Sequence, residues 1–116
     1  MARTTALSPK TFTPCHQWRS LKALVLISPG FYILKRFPTA DQINFAPRVR
    51  IPVLMLNGRF DFIFSVGSSQ EPMFRFLGTP VEHKRRVVYD SGHDIPRGEM
   101  IKETLNWLDR YLGPVK

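Results

Sequence analysis

Pro52-Val53-Leu54-Met55-Leu56-Asn57-Gly58-Arg59-Phe60-Asp61 is the stretch that decides the fold. Val53 to Leu56 are four consecutive apolar side chains, so neither face of a strand made from them is polar. Such a run reads as a strand buried on both faces, which is the habit of parallel sheets. Pro52 sits at the leading end, where its missing N–H does not interrupt a ladder, and Gly58 stops the run.

Two further runs flank it. Upstream, Leu21-Lys22-Ala23-Leu24-Val25-Leu26-Ile27 is almost continuously apolar and ends at Ser28-Pro29-Gly30, again a strand enclosed on both faces. Downstream, His83-Lys84-Arg85-Arg86-Val87-Val88-Tyr89 is charged in its first half and reads as a less enclosed edge strand, where lysine discourages edge-to-edge pairing. Phe31 to Arg50, with Pro38 and Pro47, exceeds the usual connection of about 4–6 residues, so part of it should form a short helical turn. Ser65 to Leu77 reads as a helix, with Ser65 as N-cap and Gly78 in a left-handed closing position. Pro72 breaks that pattern and suggests a later start. Ile101, Leu105, Leu108 and Leu112 stand at helical spacing, with Lys102, Glu103, Asp109 and Arg110 on other faces, and Gly113-Pro114 ends the helix.

The order is strand, connection, strand, helix, strand, helix. That alternation predicts an α/β domain over residues 21–116, with about three parallel strands, flanking helices and right-handed crossovers. Residues 1–20, with Pro9, Pro14 and no sustained period, read as an irregular lead.

Composition narrows the class. The 116 residues are 43% hydrophobic and 22% charged, which is globular. No apolar run approaches the ~20 residues of a membrane-spanning helix, and the first residues lack the apolar core of a secretory signal. Cys15 is the only cysteine, so no intrachain disulfide forms. These counts predict a soluble protein of a reducing compartment, the cytoplasm. Seventeen Lys+Arg against nine Asp+Glu give a net charge of +8. The basic residues are scattered apart from Lys84-Arg85-Arg86, and no nucleic-acid motif accompanies them. The expectation is therefore nonspecific polyanion binding at low salt. No phosphate loop, metal-ligand cluster or dinucleotide fingerprint occurs, so neither cofactor nor metal is expected.

In such sheets chemistry sits beyond the carboxyl ends of the strands. Asp61 follows the second strand and His93 the third, so adjacent parallel strands would bring both to one rim. A carboxylate there can accept the imidazole Nδ1–H, fix the ring tautomer and leave Nε2 as a general base for a hydroxyl. The plainer alternatives are that Asp61 caps the following helix and that His93 is a turn residue. Ser28 ends the first strand on the same rim and is a candidate nucleophile or a turn residue. Cys15, beside His16, reads as an ordinary thiol.

The stretch Pro52 to Asp61, the turn Ser91-Gly92-His93 and the terminal amphipathic helix resemble the C-terminal part of an α/β-hydrolase, nearest the dienelactone-hydrolase and prolyl-oligopeptidase-like serine hydrolases. The resemblance covers about Leu21 to Val115. It implies a three-layer fold, Asp61 as triad acid, His93 as triad base, and a small-molecule ester or amide as substrate. That family carries its nucleophile on a G-x-S-x-G elbow ahead of both residues, and no G-x-S-x-G occurs in the 116 residues. The resemblance thus implies the last part of a hydrolase, with acid and base but without the elbow.

Two functions from different classes follow. One is a carboxylic-ester hydrolase, or a fragment of one, with a substitute or shared nucleophile. The other is a noncatalytic remnant or an oligomerising interaction module. The run Leu21 to Ile27, guarded only by Lys22, predicts a two-fold homo-oligomer paired along that edge.

Overall fold

The computed structural model describes residues 21–32 and 37–114. The expected irregular lead over 1–20, with Cys15 and His16, lies outside the described residues. Three strands, β1 (Leu24–Ile27), β2 (Val53–Gly58) and β3 (Lys84–Tyr89), form one parallel sheet in the order β1-β2-β3. Leu24 pairs with Val53 and Ile27 with Leu56. Val53 pairs with Lys84 and Gly58 with Tyr89. The helices are α1 (Gln42–Phe45), α2 (Glu71–Phe76) and α3 (Arg97–Leu112).

β2 is central, and Val53, Leu54, Met55, Leu56 and Asn57 are completely buried. Its continuous apolar run divides by the twofold alternation of a strand. Val53 and Met55 face Phe31, Ala46, Met73 and Leu77 beneath the α1–α2 layer. Leu54 and Leu56 face Ile95 and Trp107 beneath α3. Burying each such side chain contributes about 1.5–3 kcal/mol, so β2 anchors both layers.

The structure corrects the expectation for the first strand. β1 begins at Leu24 rather than Leu21, is only half-buried, and leaves Ile27 exposed. Among the described residues no strand pairs with its outer edge, so one side lacks the cover β2 receives.

The long connection contains a helical turn, as its length required. Asp41 caps α1 by accepting from the Ile43 N–H, and a 3-10 turn over Ala46–Arg48 follows. Instead of one helix over Ser65–Leu77, a π-helical turn (Val66–Gln70) capped by Ser65 runs into α2. Pro72 lies in the first turn of α2, where its missing N–H costs nothing. Gly78 is not left-handed. It is needed for close approach, because a Cβ there would lie 2.1 Å from the Pro47 carbonyl oxygen.

β3 is an edge strand, but two of its charges point inward. Lys84 Nζ donates to the carbonyls of Phe74 (2.8 Å) and Leu77 (3.2 Å), closing α2. Arg86 reaches Gln70 and Asn57. α3 ends at Gly113, whose φ of +85° suits glycine. Its expected apolar stripe is turned mostly outward, with only Leu108 half-buried. Trp107 and Glu103 are buried, with Met100 and Tyr111 packed on the same side. Ile101, Leu105 and Leu112 are about half exposed. The helix carries two apolar stripes, and periodicity does not say which one meets the sheet. No described helix is long and apolar enough to cross a membrane.

Candidate active site

The ladder between β2 and β3 continues past the strand ends. Arg59 N–H donates to Tyr89 O (2.8 Å) and Phe60 N–H to Ser91 O (3.0 Å). The loop after β2 therefore runs alongside the loop after β3. Gly58 permits it, since a Cβ there would lie 1.9 Å from the Gly92 carbonyl oxygen and 2.5 Å from that of Ser91.

This approach brings Asp61 and His93 together. His93 Nδ1 lies 2.9 Å from Asp61 Oδ2, and the other oxygen, Oδ1, accepts from the N–H groups of Ile63 (2.8 Å) and Phe64 (3.1 Å). The carboxylate thus caps its own turn and partners an imidazole, while the helical segment that follows is capped by Ser65, not by Asp61 as the plainer reading expected. Its side chain is fully shielded from solvent, whereas the His93 side chain is about one-third exposed. Burial works against ionisation of Asp61. The Phe64 N–H, the His93 ring and the Ile63 N–H outweigh it and hold the carboxyl below its ordinary value. At neutral pH it is an anion, and an anion facing Nδ1 requires the proton on that nitrogen. In the neutral ring Nε2 then carries the lone pair.

Ser28 also comes to this rim. It is buried, with a φ of +54°, a left-handed conformation uncommon outside glycine. Its N–H stays in the ladder, donating to Leu56 O (2.8 Å), while its hydroxyl donates to the backbone carbonyl of His93. The hydroxyl is therefore held on the main chain of His93 rather than on its ring, an arrangement that fixes the loop. Around the pair, the Phe64 ring stands 6.1 Å from the His93 ring and 5.2 Å from that of Tyr32, giving an aromatic wall. Phe60 and Phe62 are exposed on the acid's loop.

One group was missed in the sequence. Gln70, completely buried, donates through Nε2 to the carbonyls of Gly58 (2.9 Å) and Phe64 (2.7 Å), at the two ends of the Asp61 loop. Asn57 Nδ2 donates to Pro29 O (2.9 Å), tying the ends of β1 and β2. Asn57 was legible as the last residue of an apolar strand. In Val66-Gly67-Ser68-Ser69-Gln70 nothing marks the glutamine as buried.

No protein-family model matches the chain, and no curated protein matches it. Solved structures do. A zinc-bound structure of a novel cold-adapted esterase from an Arctic intertidal metagenomic library matches at 27% identity with a TM-score of 0.65, covering 84% of this chain and 42% of that one. The native structure of a cold-adapted esterase so described matches at 28% identity with a TM-score of 0.63, covering 81% and 40%. A polyethylene-glycol-bound structure matches at 27% and 0.62, covering 80% and 38%. The three-stranded sheet with its flanking helices is thus a partial hydrolase-type α/β fold similar to part of an esterase. The chain spans about two fifths of the length of these structures.

Proposed function

We propose that this chain carries the acid–base part of a carboxylic-ester hydrolase site, in the dienelactone-hydrolase and prolyl-oligopeptidase-like branch. The observation that supports it most is the Asp61–His93 pair: a shielded carboxylate 2.9 Å from the Nδ1 of a partly exposed imidazole. In this reading Asp61 fixes the tautomer and stabilises the imidazolium, and His93 Nε2 takes the proton of an attacking hydroxyl and returns it to the leaving alcohol. The esterase likeness supports a small ester as substrate, with an amide as the related alternative. The chain would be a truncated form of the fold, working with a substitute nucleophile or with a site shared between two copies of the chain. Ser28 serves in that role only if its hydroxyl leaves the His93 carbonyl for the ring.

Hydrolysis of a short-chain p-nitrophenyl ester tests the reading. His93→Ala should lower the rate at least a hundredfold, the scale of a positioned general base. Equal rates in wild type and His93→Ala would remove the enzymatic reading. Ser28→Ala with an undiminished rate excludes Ser28 as nucleophile.

A second reading, an interaction module of the same fold, is favoured by the outer edge of β1, which no described strand pairs, and by the outward stripe of α3. It proposes a two-fold homo-oligomer paired along β1, which at micromolar concentration should scatter light as a dimer. A monodisperse monomer would count against it.

A further inference from the structure

We propose that Gln70, presented by the π-helical turn and oriented by Arg86, is the positioning residue that holds Asp61 against His93. The catalytic meaning of this rests on the function proposed above. Its structural content does not.

In the π turn the N–H of Gln70 bonds to Ser65 O (3.0 Å), five residues back, where an α-helix bonds four back. Such turns insert one extra residue and often stand at functional sites. Here the extra residue directs Gln70 inward while Ser68 stays exposed. Gln70 then meets two carbonyls on one side and a guanidinium on the other. Its Nε2 supplies both donors to Gly58 O and Phe64 O, and its Oε1 accepts from Arg86 Nη2 (3.0 Å). Only this orientation of the amide matches every partner, and its polar groups are all engaged.

Arg86 is itself confined. Its side chain is mostly buried, its Nε lies 3.4 Å from Asn57 Oδ1, and Glu71 lies 3.9 Å from its Nη1. The amide is therefore fixed from β3, the strand that leads to His93.

Phe64 transmits the effect. Its N–H holds Asp61 Oδ1, its carbonyl is held by Gln70, and its ring lies beside that of His93. The other held carbonyl, Gly58, opens the same loop. Both ends of the Asp61 loop are thus pinned to one buried side chain. A glutamine needed only for packing would not require two donors aimed at those two carbonyls.

Gln70→Glu is the discriminating variant, because it keeps the shape and the acceptor for Arg86 but sets an oxygen against both carbonyls. Gln70→Met removes all polar contact at similar length. The readouts are the carbon-13 titration of the Asp61 carboxyl and the downfield proton signal of His93 Nδ1–H. Both variants should shift the Asp61 midpoint upward, toward the ordinary carboxylate value, and broaden or abolish the proton signal. Lys84→Met unties α2 without touching the loop and serves as a control. It should lower stability and leave both signals in place.

Folded Gln70 variants with an unmoved Asp61 titration and an intact proton signal would overturn the proposal. If neither variant folds, Arg86→Lys decides, since it replaces the planar fork whose Nη2 and Nε address Gln70 and Asn57 separately with a shorter point charge. A smaller upward shift at Asp61 supports the role, and no shift overturns it. An inactive wild-type chain whose Asp61 responds as described would refute the catalytic reading alone.

Discussion

Gly58→Ala is expected to separate Asp61 from His93. The new methyl would lie 1.9 Å from the Gly92 carbonyl oxygen, 2.5 Å from that of Ser91 and 2.9 Å from the Gly92 carbonyl carbon. These are main-chain atoms, so no rotamer change relieves the clash and the two loops must part by more than an ångström. The bonds from Arg59 N–H to Tyr89 O and from Phe60 N–H to Ser91 O stretch with them. Overpacking of this kind costs about 1–3 kcal/mol and more where backbone must move. The variant should show a lower denaturation midpoint, loss of the His93 Nδ1–H signal, and hydrolysis no faster than His93→Ala. A Gly58→Ala protein that retains the proton signal would show that the close approach does not position the pair.

The second large effect belongs to Asp61→Asn. The amide oxygen can still accept from the Ile63 and Phe64 N–H groups, so the turn is kept. Its NH2 group, however, faces Nδ1 and favours the ring with its proton on Nε2, where no lone pair remains for a hydroxyl. The same carboxylate-to-amide change in a serine-hydrolase triad lowers kcat by about 10⁴, and a comparable loss is expected in ester hydrolysis. Stability gives an independent check with a definite sign. The Asp61 carboxyl lies below its ordinary value of 3.8 in the folded protein. Its ionised form therefore stabilises the fold fully above the unfolded value, and that contribution disappears as pH falls through the lower folded value. The stability gap between wild type and Asp61→Asn should shrink on acidification below about pH 4, as the carboxyl itself takes up its proton. Urea denaturation below that pH measures it, and a gap that widens there would contradict the assignment.

Much of this site is legible before any coordinates because it depends on few contacts. Val53 to Leu56 has no polar residue, and only a sheet covered on both sides absorbs such a strand. Parallel neighbours then bring Asp61 and His93 to one end. The limits lie where chemistry, not pattern, decides direction. Lys84 and Arg86 read as solvent-facing charges, yet buried carbonyls and amide oxygens need donors, and long basic side chains supply them from an edge strand. In α3 the stripe through Ile101 and Leu105 is as regular as the one through Trp107. Only the area that Trp107 covers over Leu54 and Leu56 settles which turns inward. Ser65 reads correctly as a cap, but a π turn differs from an α turn by one residue, and nothing in Ser68-Ser69-Gln70 records that insertion. Ser28 reads as a rim residue, which it is. That its hydroxyl meets a main-chain carbonyl depends on a positive φ, which sequence does not show for a serine.

The parallel sheet has a kinetic consequence. Partners in adjacent strands lie about thirty residues apart along the chain, as with Leu24 and Val53 or Val53 and Lys84. Each pairing must close a long segment before any contact repays the lost freedom, which places such topologies among the slower folders. Asp61 and His93, 32 residues apart, can meet only once the later of these closures is complete. Until then the β2 segment travels as an uncovered apolar ribbon, so the interval before closure is when the chain is most exposed to self-association.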